Sequence, residues 1–449
     1  MPFYSINPAN KQLIAEWEAD TQAEILDKIR TSHKHFTHWK TLSVHDRVLE
    51  LLQVKKYLSE ESDLLAELIT QEMGKPIEQA KAEVEKCIQL IDYYAEVSEG
   101  VLKDEEVTDN AFVSKQPLGV LLGIMPWNFP VWQAMRFAVP SLISGNTILL
   151  KPAPNVIGVS TKLQSIFSDA GLESHFQLVH AEVDNIELII SHENVQGVSL
   201  TGSTRAGKSV AQLCGKYMKK SVFELGGSDP AIFLSDANLS IAVPKAVRSR
   251  LLNSGQSCIA AKRFLVSEDI YNDFIEKFIS EFESYKVGDP KLSKNDIGPI
   301  AREDLLNNIN QQKTNALKDG AKLLYESNKA SDEGYYFSPT ILSVTPDMKI
   351  FNEEVFGPMA LVTTFKTESE MIELANKTPY GLGASIYTAD INKAYELMKN
   401  HINSGSCFIN KFVKSSPELP FGGVKDSGLG RELGTYGLLE FVNIKTIVM

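Results

Sequence analysis

The 449-residue sequence predicts an α/β protein with two parallel-sheet units, a helical segment ahead of them and a small β arm. Three observations carry that reading. The chain is longer than one hydrophobic core usually supports, so two or three domains are expected. From Leu118 onward, short apolar runs alternate with amphipathic stretches, the rhythm of strands joined by crossover helices. Two further strand-like segments, Val107 to Lys115 and Phe441 to Met449, lie outside that alternation.

From about Thr21 to Glu99, apolar residues recur at helical spacing (Val48, Leu51, Leu52, then Leu64, Leu65, Leu68) with few turn residues, which predicts helical packing scaffold. The first alternating unit reads GVLLGIM, a helix from Val131, NTILLK, a helix from Val156, FQLVH, a helix near Ile186, and VQGVSL. After Glu224 the second unit reads AIFL, a helix around Ile241 to Leu252, FLVS, and a helix from Ile270 to Phe282. The two outlying strands need partners for their backbone groups, so they are expected at an oligomer interface.

Composition narrows the function. With 43% hydrophobic and 23% charged residues the chain is ordinary globular protein. A net charge of -12 without any Lys/Arg run repels phosphate backbones, so no nucleic acid is expected. The sequence has neither a basic leader nor a stretch of about 18 apolar residues, which predicts a cytoplasmic protein without a membrane partner. Cys87, Cys214, Cys258 and Cys407 lie far apart with no CxxC pair, against a disulfide framework or zinc knuckle. His33, His35 and His38 lie on a surface helix without a neighbouring carboxylate or cysteine, so no metal is expected.

One motif points two ways. GSTRAGKS, Gly202 to Ser209, satisfies the phosphate-loop pattern of a nucleotide triphosphatase, and the strand AIFLSD delivers Asp236 as a magnesium ligand for that reading. A Gly-rich turn before a helix N-terminus accepts a dinucleotide's pyrophosphate equally well.

Three residues carry chemistry. Cys258, in NSGQSC, has small polar neighbours that make a poor apolar core and a good approach for a substrate. Its thiolate is a strong carbonyl nucleophile. Glu224 ends an apolar strand and opens ELGGSDP, where paired glycines permit tight turns. Asn128, in PWNFP, lies between two prolines that hold the loop and its amide still.

Seven segments in order, PWNFP (126–130), LLKPAP (149–154), LTGSTRAG (200–207), ELGG (224–227), GQSC (255–258), EEVFGP (353–358) and LPFGGVKDSGLGRE (419–432), resemble motifs of the aldehyde dehydrogenase superfamily. The resemblance spans nearly the whole chain. It implies an NAD(P)-binding domain over 1–106 and 119–226, a catalytic domain over 227–430, and oligomerisation segments at 107–118 and 431–449 of a homodimer or homotetramer. It implies that Cys258 attacks a small-molecule aldehyde, that Asn128 and the Cys258 N–H hold the oxyanion, and that Glu224 is the base for hydrolysis of a thioester. For the cofactor it implies Trp127, Lys151, Pro154, Gly202, Ser203, Gly207, Leu225, Glu354 and Phe356. Lys151 and Glu354 take the riboses, Ser203 the pyrophosphate at a helix N-terminus, and Gly207 a close helix–sheet contact. Many NAD-preferring members place a glutamate three residues after that lysine, where this chain has Pro154, so NADP is favoured over NAD.

Trp132 and Arg136 are similar to the semialdehyde-binding residues of bacterial succinate-semialdehyde dehydrogenases, and Ser415, or alternatively its neighbour Ser416, stands where that group has a substrate-facing serine. Arg136 is expected to grip a distal carboxylate and not to sit in a structural ion pair. A second arginine that some members carry six residues before the cysteine is Leu252 here, and Arg250 lies two residues earlier. The other readings are a general aliphatic or glutarate semialdehyde dehydrogenase, a phosphate-loop ATPase, and a non-catalytic crystallin-like protein.

Overall fold

A computed structural model describes residues 2–328, 331 and 333–449. Strands β1 (Phe3–Ile6) and β2 (Leu13–Trp17) pair antiparallel, and helices α1 (Gln22–Trp39), α2 (Val44–Glu60), α3 (Ser62–Met73) and α4 (Ile77–Leu102) follow. The starts of α1 and α2 are written in the sequence as capping boxes, Thr21 with Glu24 and Ser43 with Asp46, each satisfying otherwise orphaned N–H groups. Strands β3 (Glu105–Thr108) and β4 (Ala111–Pro117) then form a hairpin.

The first alternating unit is β5 (Val120–Ile124), α5 (Pro130–Ile143), β6 (Thr147–Lys151), α6 (Ile157–Asp169), β7 (Phe176–Leu178), α7 (Ile186–Ser191), β8 (Val195–Thr201), α8 (Thr204–Lys216) and β9 (Lys220–Glu224). The second is β10 (Asp229–Phe233), α9 (Leu239–Leu251), β11 (Ala261–Ser267), α10 (Tyr271–Ser284), α11 (Glu303–Lys318), β12 (Lys322–Glu326), β13 (Thr340–Ser343), β14 (Met359–Phe365), α12 (Glu368–Asn376), β15 (Gly383–Tyr387), α13 (Ile391–Asn400) and β16 (Ser406–Ile409). Strand β17 (Gly428–Leu429), helix α14 (Gly434–Glu440) and β18 (Val442–Val448) complete the chain.

The first sheet runs β17-β9-β8-β5-β6-β7, parallel except for β17, and the second runs β12-β13-β14-β11-β10-β15-β16, parallel except for β12. Each is buried on both faces, as parallel sheets require. In the first, Leu121, Ile148 and Leu150 face the core shared with α2 to α6, while Val120, Leu122, Leu149 and Val198 face the α1, α7 and α8 side. In the second, Ile232, Leu265 and Ile386 lie on one face and Ala231, Phe233, Phe264 and Val266 on the other. This alternation is the period-2 geometry of strands.

The structure corrects two expectations. The outlying strands are not isolated: β18 pairs with β4 along its whole length and β4 with β3, so one three-stranded antiparallel sheet satisfies them within the chain. The early helices are also more than scaffold, because Glu72 of α3 accepts the Gly158 and Val159 N–H groups at the start of α6. Glu83 of α4 does the same for Val131 and Trp132 of α5. A carboxylate suits the positive end of a helix, and here it fixes the helix that follows the Asn128 loop. Among the described residues no helix is long and apolar enough to cross a membrane.

Candidate functional site

Ligands of open α/β sheets gather at the carboxyl ends of the strands. At that edge of the first sheet, β5 leads into the Asn128 loop, β6 ends at Lys151, β8 leads into Gly202 and Ser203, and β9 ends at Glu224. Only four residues separate Glu224 from the start of β10. This edge therefore meets the amino ends of the second sheet, where Cys258 precedes β11 and Glu354 precedes β14.

Cys258 is held by an unusual backbone. Asn253, Ser254 and Gly255 all have positive φ (55°, 55° and 73°), a left-handed run costly for residues with a side chain. At Gly255 glycine is obligatory, since a Cβ would lie 2.4 Å from the Gly357 carbonyl carbon. The turn is clamped from several directions. The Asn253 N–H donates to Gln79 Oε1 (2.7 Å), its amide to the Asn128 carbonyl (2.8 Å), and the Ala301 N–H to Gln256 Oε1 (2.9 Å). Asn128 Nδ2 donates to the Gln256 carbonyl at 3.0 Å. A side-chain amide has two protons, so one remains for a ligand. The structure thus brings Asn128 and the Cys258 loop together.

Buried charges surround the thiol. Burial pushes the Cys258 thiol up to about 12, against the pull of Lys262 and Arg136, so at rest it is neutral. Lys262 Nζ donates to the Ser257 carbonyl (2.8 Å) and to the Cys258 carbonyl, tying the loop from beneath. Burial likewise raises Glu354, which accepts the Gly227 N–H at 2.9 Å. Glu224 is buried, and neither of its carboxylate oxygens has a hydrogen-bond partner among the described residues. Burial raises its carboxyl well above the ordinary range, Glu432 adds to this, and Arg136 and Arg431 oppose it. A buried unpartnered carboxylate is costly and proton-hungry, the property of a base.

On the first-sheet side, Ser203 caps α8 and accepts the Ala206 N–H (3.3 Å), leaving the other first-turn N–H groups open at the cleft. A Cβ at Gly207 would lie 2.4 Å from Leu225 Cδ2, so the helix approaches the sheet as closely as glycine permits. Burial lowers Lys151 to about 8, and its ammonium donates only to the Pro152 carbonyl (3.2 Å) among the described residues. Pro154 is exposed at the start of the short helix Pro154–Val156. Trp127 meets Phe356 edge-on with ring centroids 5.7 Å apart. An unpaired lysine, an open helix N-terminus and Glu354 fit a phosphate-bearing dinucleotide with its two riboses.

Cys258 also lines a cavity of about 400 Å³ to which Lys151, Ser203 and Glu354 do not contribute. Trp132, Arg136 and Ser415 line it, and so does Lys86 of α4, which the sequence did not single out. Arg248 and Lys414 add positive charge, against Glu78 and Glu83. Glu83 is already neutralised by an ion pair with buried Lys75. The cavity is therefore positive in a chain whose net charge is -12.

The structure corrects the expectation for Arg136. Its Nε forms a buried ion pair with Glu432, and its Nη2 donates to Thr201 Oγ1 at 3.1 Å. Glu432 closes the motif LPFGGVKDSGLGRE, and only its spatial neighbours reveal that it pairs with a residue 296 positions away. Lys86 Nζ donates to Ser415 Oγ at 2.7 Å and lies 3.8 Å from the centroid of the Trp132 ring. Burial lowers its ammonium to about 7.

The phosphate-loop reading finds no support in the geometry. Lys208 is exposed and paired with Asp426, and Asp236 follows a strand of the other sheet, where it accepts bonds from Thr388 and the 389 and 390 N–H groups.

The aldehyde dehydrogenase family model matches residues 2–447. The chain is 41% identical to a succinate semialdehyde dehydrogenase [NAD(P)+] of Escherichia coli, over 99% of this chain and 97% of that one. It is 42% identical to a probable succinate-semialdehyde dehydrogenase [NADP(+)] of Synechocystis, over 100% and 99%. A crystal structure of succinic semialdehyde dehydrogenase from Streptococcus pyogenes with NADP+ superimposes with a TM-score of 0.97 at 34% identity, covering 100% of this chain and 99% of that one.

Proposed function

The chain belongs to the aldehyde dehydrogenase family, and from that premise we propose that it oxidises succinate semialdehyde to succinate through a thioester on Cys258, with NADP preferred over NAD. The observation that carries the substrate is the positive cavity beside Cys258, where Arg248 and Lys414, joined by Lys86 below about pH 7, face the single uncompensated carboxylate Glu78, while Arg136 is matched by Glu432. A small aldehyde ending in a carboxylate suits it by charge.

In this reading Cys258 Sγ attacks the aldehyde carbon, and the carbonyl oxygen, now negative, receives the free Asn128 amide proton and the Cys258 N–H. Each such donor contributes about 3 kcal/mol of transition-state stabilisation. The thiol is neutral at rest, so its proton must leave to bulk solvent as the S–C bond forms, and Glu224 stays unprotonated for the hydrolytic step. Bound NAD(P)+ supplies the hydride acceptor. Glu224 then takes a proton from the water that attacks the thioester, releasing the acid and restoring Cys258. Lys151, Ser203 and Glu354 hold the dinucleotide, with Trp127, Gly202, Gly207, Leu225 and Phe356 shaping its cleft. Residues 1–106 and 119–226 form the nucleotide unit, and 227–430 the catalytic unit. The arms 107–118 and 431–449 build a homo-oligomer through the three-stranded sheet, on which Ile444, Ile447 and Val448 are exposed.

The test is kcat/KM for succinate semialdehyde, glutarate semialdehyde and butanal under each cofactor. Succinate semialdehyde is expected to exceed butanal by about 30- to 150-fold, the worth of a charge-assisted anchor. Parity between the two aldehydes refutes the substrate, and a preference for the five-carbon acid moves it to glutarate semialdehyde.

A further inference from the structure

We infer that Lys86, acting with the Ser415 hydroxyl, is the specificity-determining contact for the distal carboxylate of the substrate. This deepens the proposed function and rests on its substrate being an anionic aldehyde. Two cations reach the interior of the cavity, and they are not equivalent. Arg136 is already engaged by Glu432 and Thr201, and its Nη1 alone has no protein partner among the described residues. Lys86 has no carboxylate partner among the described residues, and its one hydrogen bond goes to a neutral hydroxyl that is free to turn. The Trp132 face steadies the ammonium without neutralising it. A hydroxyl that accepts from Lys86 keeps its own proton to donate, so Lys86 and Ser415 together offer a carboxylate two hydrogen bonds at one place.

The charges facing Lys86 tell how it behaves before substrate arrives. Glu83 and Cys87 lie on its own helix, Arg136 comes from α5, and Lys414 from the 412–421 loop. Arg248 and Glu78 complete the cavity's charged lining. Burial is the largest influence on the ammonium and Arg136 the next, both holding it down to about 7 with Lys414 adding to them, while Cys87 and Glu83 oppose. Above that pH the free enzyme has a neutral Lys86. A bound carboxylate then restores the charge and draws in a proton, so affinity for the anionic aldehyde falls as pH rises. An uncharged aldehyde shows no such dependence.

The experiment compares wild type, Lys86→Met and Lys86→Arg on succinate semialdehyde and butanal, with melting curves to verify folding. Lys86→Met is expected to lower kcat/KM for succinate semialdehyde about 10- to 100-fold, mostly through KM, and to change butanal less than about twofold. Lys86→Arg restores part of the loss. In wild type the ratio of the two kcat/KM values falls by about tenfold or more between about pH 7 and about pH 9, and in Lys86→Met it is flat. As a readout independent of turnover, succinate binding at about pH 8, measured calorimetrically in buffers of different ionisation enthalpy, takes up protons in wild type and none in Lys86→Met. A wild type without preference for the carboxylate overturns the substrate and this inference together. A preference or pH dependence that survives Lys86→Met, or equal loss on both aldehydes, overturns this inference alone.

Discussion

The two sides of Cys258 are built differently. The nucleotide cleft is an edge, the carboxyl ends of β5, β6, β8 and β9, and each residue offered there follows directly from a strand's end: Asn128, Lys151, Ser203, Glu224. The aldehyde cavity has no such edge. Its lining comes from α4, α5, the end of α9, the Cys258 loop and the 412–421 segment, which meet only in the folded chain. The backbone itself builds the first surface, so its chemistry is constrained to small residues and helix ends. Packed side chains build the second, and one lysine suffices to change what it accepts.

That contrast orders the expected damage. The largest effect belongs to the residue shared by both sides. Cys258→Ala removes the nucleophile and is expected to lower kcat by at least about 10⁴-fold while the dissociation constant for NADP, measured by fluorescence quenching, stays within about threefold. Retained turnover would mean that another group attacks the aldehyde. Next comes Glu224→Gln, which on the proposed mechanism leaves a first burst of NADPH but slows later turnovers by about 10²–10³-fold. Because burial raises the Glu224 carboxyl, its deprotonated form is lost as pH falls well before an ordinary carboxylate would protonate. The acidic limb of kcat should therefore lie above the usual carboxylate range in wild type and disappear in the variant. A burst that vanishes with the carboxylate places Glu224 in thiol activation as well.

Arg136 is the place where the two surfaces touch, and its substitution sharpens the comparison through stability. Removing it leaves Glu432 buried without its cation, and breaking such a pair typically costs about 3–5 kcal/mol. Arg136→Met should lower the melting temperature and depress both aldehyde activities, while adding Glu432→Gln recovers most of the stability because the orphaned charge is gone. If the double variant is as unstable as the single one, the pair is not what holds Arg136 in the fold. Measured in the recovered background, the ratio of succinate semialdehyde to butanal activity reports what Arg136 contributes to the substrate.

The same contrast explains what was legible in the sequence. The strand and helix alternation from Leu118 and the contiguous motifs around Asn128, Glu224 and Cys258 are local patterns, and the structure sets Asn128 against the Cys258 loop. Glu83 and Lys86 left only a faint trace. Ile77, Ala80, Val84, Cys87 and Leu90 mark α4 as amphipathic, and Glu83 lies within that apolar stripe, where a charged residue needs a buried partner. Lys86 is one turn further along and was indistinguishable from a solvated lysine without α5 and the 412–421 segment packed against it. The Arg136–Glu432 pair was invisible for a related reason, since only the pairing of β17 with β9 brings residues 428–432 to the end of the first sheet. The outlying strands showed their type but not their partner, because strand pairing depends on register across more than 300 residues of chain.

The smallest effect is expected on the nucleotide side, at Pro154. This residue is exposed in the first position of a short helix just past Lys151, and no carboxylate pairs with Lys151 among the described residues. A lone ammonium there suits the 2′-phosphate of NADP, and a carboxylate three residues on would repel that phosphate and bind the free ribose hydroxyls of NAD instead. Pro154→Glu should weaken NADP by about tenfold and leave NAD unchanged or modestly tighter, as expected for one added charge at a partly exposed site. The backbone tolerates the change, since glutamate is favoured in the first turn of a helix, and the proline's loss adds about 0.4–1 kcal/mol of unfolded-state entropy that is common to both cofactors. The ratio of the two dissociation constants is therefore the quantity to measure, by fluorescence quenching at low and high salt. Repulsion of a phosphate weakens as salt rises, so the shift in the ratio should shrink at high ionic strength. A ratio that does not move, or moves without regard to salt, would show that cofactor choice is set elsewhere in the cleft, and Lys151 would lose its place as the phosphate's partner.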